Sequence, residues 1–315
     1  MHPVLIAALA LVGLLLLAYA VLCLSVFRFA FLRKKKQGRA KIEATLAHVG
    51  QYRELVANGI ASVDAMPSEE IIIRSQDGLS LFGRLYGEEG AAATIVLFHG
   101  YRSFGENDFN GIFPYYIGKR GYRILLVDQR AHGKSEGRYI TFGIHERRDC
   151  AAWAHYLAKR FGPDHKIVLD GMSMGAATVM MALGEPLPPN VVGIIADCGY
   201  SSPMDILRHV GANMKLPLPL IMPTVIWLCR VLARFDPRET SAREAVATSP
   251  LPKLFVHGKA DDFVPYAMGK ALFDAAQEPK YMVSVDEAGH GMSFLYDQEA
   301  VLAALGAFLD KIVER

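Results

Sequence analysis

Lys166-Ile167-Val168-Leu169-Asp170 runs directly into Gly171-Met172-Ser173-Met174-Gly175, and a stretch reading AATVMMALG follows, ending at Gly184. The first five residues read as a short buried strand and the last nine as a helix. Between them the backbone must reverse at Ser173 so sharply that its dihedrals are strained. A side chain two positions before or after would clash, hence the glycines. Strand, Gly-x-Ser-x-Gly and helix together make a nucleophile elbow, which lifts the serine oxygen above the sheet. The chain has 28 glycines in 315 residues, so the bare pattern is expected about 0.1 times by chance. The flanking strand and helix therefore carry the argument.

The alternation continues on both sides of the elbow. Residues 94–98, 123–128, 167–170, 192–197, 253–256 and 281–285 are short apolar runs typical of buried parallel strands, and helical stretches cover 109–120, 144–160, 176–183, 265–276 and 299–313. Asp77-Gly78, between runs at 71–75 and 79–86, is a hairpin signal, so the sheet opens with an antiparallel pair. The predicted fold is α/β, a doubly wound and mostly parallel eight-stranded sheet. An insertion at about 198–250 breaks the rhythm. Its apolar centre, 216–232, contains Pro217, Pro219 and Pro223, which argues against a second membrane span and for a lid of short helices. Ordinary core and an acyl-binding or membrane-touching surface are both open readings of it.

Upstream, residues 4–27 carry no charge, and about 24 residues at about 1.5 Å each suffice to cross a roughly 30 Å hydrocarbon core. A cleaved signal peptide is the rival, because Ala18-Tyr19-Ala20 has the small-x-small form. The Met-His-Pro start, however, lacks a basic n-region, and apolarity continues to Leu32. The expected organisation is a transmembrane anchor at 1–32, then a basic juxtamembrane helix (39–56) and linker within 33–68, then one domain at 69–315. Arg28, Arg33, Lys34, Lys35, Lys36, Arg39 and Lys41 cluster after the span, which puts that domain on the cytoplasmic side and lets the cluster hold anionic lipid headgroups.

The chain is 52% hydrophobic with a formal net charge of +2, enough apolar material for one large core. Since the cluster absorbs the basic excess, the remainder is near neutral and gives no reason to expect a nucleic-acid partner. The four cysteines lack Cys-x-x-Cys spacing, so neither a disulfide framework nor a zinc site is expected. They fit a reducing compartment. Oligomeric state is not legible.

A serine hydroxyl is a weak nucleophile, so Ser173 needs a base to take its proton and an acid to orient that base. Asp261 and Asp262 stand just past the run at 253–256, and His290 just past the last strand in a Gly-flanked turn. Either aspartate serves as the acid on position alone. Of the ten histidines, His99, His132 and His257 also follow strands, but each precedes a glycine in a tight turn and is expected to satisfy loop backbone groups. No His-Glu-x-x-His occurs, so no metal site is expected from them. The oxyanion of a tetrahedral intermediate would be held by the backbone amides of Met174 and of Tyr101, the latter in the loop His99-Gly100-Tyr101-Arg102.

His99-Gly100, the stretch Asp128-Gln129-Arg130-Ala131-His132-Gly133-Lys134-Ser135, the elbow, His257-Gly258 with Asp261-Asp262-Phe263-Val264-Pro265, and Gly289-His290 occur in this order. Together they resemble the α/β-hydrolase superfamily over about residues 69–313, in particular its serine aminopeptidase-like and cinnamoyl-esterase-like bacterial members. The resemblance implies that the aspartate of Asp-x-x-Val-Pro, here Asp261, is the triad acid, and that the 128–135 loop is structural, so His132 lies outside the triad. Ala131 stands where relatives usually carry glycine and is expected only to tighten that turn. The expected activity is a membrane-anchored serine hydrolase acting on a small-molecule ester, thioester or other acyl substrate without a cofactor, through Ser173, His290 and Asp261. A peptidase or amidase releasing small N-terminal residues, favoured by an acidic pocket, and a non-catalytic binding module on the same fold are the alternatives.

Overall fold

The computed structural model describes residues 2–35 and 38–314. Lys36 of the basic cluster, like Met1, Gln37 and Arg315, lies outside them. Eight strands form one sheet: β1 (Glu69–Arg74), β2 (Ser80–Tyr86), β3 (Ala93–Phe98), β4 (Arg123–Val127), β5 (Lys166–Met172), β6 (Val191–Asp197), β7 (Lys253–Gly258) and β8 (Lys280–Val285). Their order is β1-β2-β4-β3-β5-β6-β7-β8, with β1–β2 and β2–β4 antiparallel and the rest parallel. The predicted sheet and its antiparallel opening are therefore observed. In the hairpin, Gly78 takes φ +87° and donates to Ser75 O at 3.0 Å, while the Ser75 hydroxyl accepts from the Leu79 amide. β3, β4 and β7 are buried along their whole length, as strands covered on both faces must be.

The helices in chain order are α1 (Pro3–Phe31), α2 (Ile42–His48), α3 (Arg53–Ala65), α4 (Gly105–Phe109), α5 (Glu146–Phe161), α6 (Met174–Ala182), α7 (Pro203–Asn213), α8 (Leu218–Leu232), α9 (Ala242–Thr248), α10 (Tyr266–Ala275), α11 (Ser293–Tyr296) and α12 (Gln298–Ile312). One face of the sheet packs against the end of α1 and against α5, α6 and α8. The other packs against Phe109, Phe113, Tyr116 and α12. α1 is long and apolar enough to cross a membrane. Its last turns are part of the domain, with Cys23, Phe27 and Phe31 buried in the first core.

Three segments differ from expectation. The helix expected over 39–56 breaks at Gly50 (φ +55°), and α3 then runs on through the expected linker to Ala65. Val56, Ile60 and Val63 recur at helical spacing and are buried. Gly59 permits this, since a Cβ there would stand 2.6 Å from Asn110 Oδ1. The helix expected over 109–120 is interrupted by a turn at 110–112: α4 ends at Phe109, and a π-helical turn, Tyr115–Lys119, follows Pro114. The insertion at 198–250 is helical, but its apolar centre is one 15-residue helix, α8, with Pro223 inside it, where several short helices were expected; α8 lies along α1, α9 lies against α6, and His209 of α7 stands 2.9 Å from Asp262 O.

Candidate active site

Ser173 sits between the end of β5 and the start of α6 with φ +56° and ψ −112°, a conformation that costs a non-glycine residue about 1–3 kcal/mol. The flanking glycines hold it there. A Cβ at Gly171 would lie 2.3 Å from the Gly175 carbonyl, and one at Gly175 would lie 1.7 Å from Phe98 O. The Ser173 amide donates to Asp197 O at 2.8 Å, tying the elbow to β6.

His290, just beyond β8, reaches this serine. Its Nε2 lies 2.9 Å from Ser173 Oγ and its Nδ1 lies 2.7 Å from Asp261 Oδ2. In this arrangement Nδ1–H donates to the carboxylate and Nε2 accepts from the serine hydroxyl. Asp261 also accepts the Phe263 and Val264 amides through Oδ1. Burial alone would push the Asp261 carboxyl up, but His257, 3.4 Å away, and the hydrogen bonds from His290 and the Val264 amide outweigh it and hold it well below the usual carboxylate range. Asp262 is exposed, and among the described residues only its carbonyl engages a side chain, His209. The two aspartates, equivalent by position, are thus separated by orientation.

The remaining strand-end histidines do satisfy loop backbone. His99 Nδ1–H donates to Gly100 O and its Nε2 accepts the Gln129 amide, and His257 Nε2–H donates to Val264 O. His132 Nδ1–H donates to Arg130 O while Nε2 accepts the Arg102 amide at 3.0 Å. Arg130 in the same loop makes a two-point bond to buried Asp149 and reaches Asp77 in the hairpin. Ala131 takes φ +61° in this turn.

Gly100 faces the serine, and Tyr101 lines the same cavity. A Cβ at Gly100 would lie 3.4 Å from Ser173 Cβ, and the Gly100 amide donates to Asp108 Oδ2 at 2.6 Å. Neither the Tyr101 amide nor the Met174 amide donates to another described residue. Sequence reasoning missed what holds this loop. Tyr101 Oη donates to Ala30 O at 2.7 Å, and Arg102 Nη2 donates to Phe29 O at 2.6 Å and Leu32 O at 3.0 Å. These are the carbonyls that a helix C-terminus leaves without partners, so the end of α1 is bonded to the loop beside Ser173.

A cavity of about 270 Å³ opens over Ser173. Apolar side chains dominate its walls, among them Met172, Phe263, Phe294 and Leu295, and Val49 and Val56 cover it from the segment that follows α1. None of its lining residues comes from 198–250. Val49 and Val56 place α3 and the turn before it in this wall. The apolar spacing of Val56, Ile60 and Val63 was the available signal.

Asp170 and Asp197, also unanticipated, lie in the cavity wall. Tyr116 Oη donates to Asp170 Oδ2 at 2.6 Å, whereas Asp197 Oδ1 has no hydrogen-bond partner among the described residues. Burial raises Asp170 to about 7, against the Tyr116 bond and helped by Asp197, and burial raises Asp197 to about 6 against the pull of His257 and His290. A raised carboxyl means that the native state holds a proton the unfolded chain has lost, so this contribution to stability disappears as pH rises from about 4 to about 7. Asp170→Asn keeps an acceptor for Tyr116 and removes the penalty. Its thermal midpoint at pH 8 is expected to exceed wild type by roughly 1–3 kcal/mol in equivalent stability, with little difference at pH 4. Melts at the two pH values check this, and equal pH dependence in both proteins would refute it.

A model of the alpha/beta hydrolase family matches residues 95–305. The uncharacterized protein YqkD of Bacillus subtilis is 24% identical over 253 residues, covering 80% of this chain and 82% of its own. The uncharacterized protein Rv2307c of Mycobacterium tuberculosis is 28% identical over 243 residues, covering 76% and 78%. Among solved structures, an esterase from Pyrococcus furiosus superposes with a TM-score of 0.65 at 21% identity, covering 80% of this chain and 94% of that one.

Proposed function

The chain belongs to the alpha/beta hydrolase family, and from that premise we propose that it is a serine hydrolase held at a membrane by α1, cleaving carboxylic esters or thioesters through an acyl-enzyme on Ser173. The observation that carries this reading is the unbroken relay from Ser173 Oγ to His290 Nε2 and from Nδ1 to Asp261, at the base of an apolar cavity. In the proposed cycle His290 takes the serine proton as Oγ attacks the acyl carbon. The oxyanion is received by the Tyr101 and Met174 amides. His290 returns the proton to the departing alcohol or thiol, and water then repeats the sequence to release the acid. Asp261, kept ionised, orients His290 and balances its charge. Apolar walls suit an acyl chain, and the structural neighbour from Pyrococcus furiosus is named an esterase.

The unpartnered Oδ1 of Asp197 in the cavity wall favours a second reading, in which a free amine is captured and small N-terminal residues are released. One experiment decides between them: fluorophosphonate labelling of wild type, Ser173→Ala and His290→Ala proteins, followed by hydrolysis of a p-nitrophenyl ester chain-length series and of aminoacyl p-nitroanilides. Labelling that needs both residues, with turnover of the esters, supports the ester reading. Preference for the anilides would move it to the peptidase. Absence of labelling in folded wild type would leave a binding module. The basic cluster supports a cytoplasmic domain, and a C-terminal tag labelled only from the outside of cells would overturn that side.

The bonds from the Tyr101 loop to α1 imply a further result. Tyr101→Phe keeps the amide and loses the hydroxyl that fixes the loop to Ala30. One hydrogen bond of about 0.5–1.5 kcal/mol corresponds to a fall in kcat of about 2- to 10-fold with KM little changed. Steady-state kinetics on a short-chain ester tests it, and an unchanged kcat would separate the anchor from the oxyanion loop.

A further inference from the structure

α1 is exposed at every described residue up to Ala18, and Tyr19 is the first to touch the domain. The free part, residues 3–18, is about 24 Å long at about 1.5 Å per residue, whereas the hydrocarbon core is about 30 Å thick. Tilt shortens the reach further. If Pro3 sits at the far boundary, Tyr19 and the next turn of α1 are still inside the core. Whatever packs beside them shares that depth.

α8 packs beside them. Tyr19 Oη donates to Leu220 O at 3.0 Å and lies 2.6 Å from Thr224 Oγ1. Beyond the other end of α8, the Phe235 ring meets Phe31 at 5.6 Å. The two helices therefore run in the same direction, with the start of α8 deepest. Ile221, Val225 and Cys229 face the core, and Leu220 (60%), Trp227 (57%) and Val231 (53%) face outward. At 100° per residue these three fall within about 20° of one line. The stripe is graded along the bilayer normal, with leucine deepest, tryptophan about 10 Å along the helix, and exposed Arg230 and Arg234 beyond, as exposed Arg28 is on α1. Apolar, then tryptophan, then arginine is the profile of a membrane boundary.

We propose that α8 is a second membrane element, whose outward stripe of Leu220, Trp227 and Val231 seats in the near boundary of the bilayer that α1 enters. The catalytic domain then lies on the lipid surface instead of hanging from a tether. This rests on reading α1 as a membrane span, and the test separates the two. The chain has two tryptophans, and Trp153 is buried under the sheet. Full-length protein and its Trp227→Phe variant are reconstituted in phosphatidylcholine–phosphatidylglycerol vesicles with or without phosphatidylcholine brominated on its acyl chains, floated on a density gradient, and read by fluorescence.

The expected result is flotation of both proteins, loss of most Trp227 emission in brominated vesicles, and no such loss in Trp227→Phe. Flotation with equal quenching in the two proteins, and with Trp227 quenched by iodide in the buffer, overturns the seating of α8 and leaves the span intact. Failure to float, or release by alkaline carbonate, overturns the span and the seating together.

Discussion

Ser173→Ala is expected to lower kcat on a p-nitrophenyl ester by up to about 10⁶-fold. The reason lies in the coupling of the three side chains. His290 Nε2 is 2.9 Å from Ser173 Oγ, and its other nitrogen is committed to Asp261 at 2.7 Å. In the proposed mechanism the imidazole takes its proton from Ser173 Oγ, so without the hydroxyl no nucleophile is held at the acyl carbon and only an unplaced water can attack it. Groups that act as a unit are non-additive, so adding His290→Ala to Ser173→Ala should cost almost nothing more. Active-site titration alongside steady-state kinetics measures both. A Ser173→Ala protein with more than about a hundredth of wild-type kcat would exclude the acyl-enzyme, since a removed nucleophile must cost far more. A further large drop in the double variant would mean that His290 serves another reaction.

Gly175→Ala is expected to destabilise the domain by about 3 kcal/mol or more and to abolish fluorophosphonate labelling. The added methyl would stand 1.7 Å from Phe98 O and 2.9 Å from His99 O. Both are backbone atoms at the end of β3, a fully buried strand bonded on each side. No side chain is available to swing away, so α6 must move off the sheet and carry the elbow with it. Gly118→Ala is the control, because nothing lies within 4 Å of a Cβ there. Urea unfolding of the two variants reads the difference. A Gly175→Ala protein as stable as Gly118→Ala would show that the elbow does not need this contact.

The parts legible in the sequence are those that local forces decide. Buried parallel strands must be apolar on both faces, so 94–98, 123–128 and 253–256 announce themselves. The elbow is legible because its backbone reversal excludes side chains at Gly171 and Gly175 within five residues. The order of Ser173, Asp261 and His290 follows from strand ends that can be counted along the chain. Only the folded chain separates Asp261 from Asp262: both follow β7, and the choice depends on which carboxyl the turn through Val264 aims at His290. The cover of the cavity was also a matter of long-range packing. Proline and apolarity marked 198–250 as unusual, yet only the folded chain lays α8 along α1, with Tyr19 against Leu220 and Thr224, and brings Val49 and Val56 into the cavity wall. The bonds between the Tyr101 loop and α1, and the upward push of burial on the Asp170 carboxyl, have no local signature at all. They arise because the sheet order brings distant segments together, and because burial and the loss of water, which no short stretch of sequence encodes, set the energy of each polar group they meet.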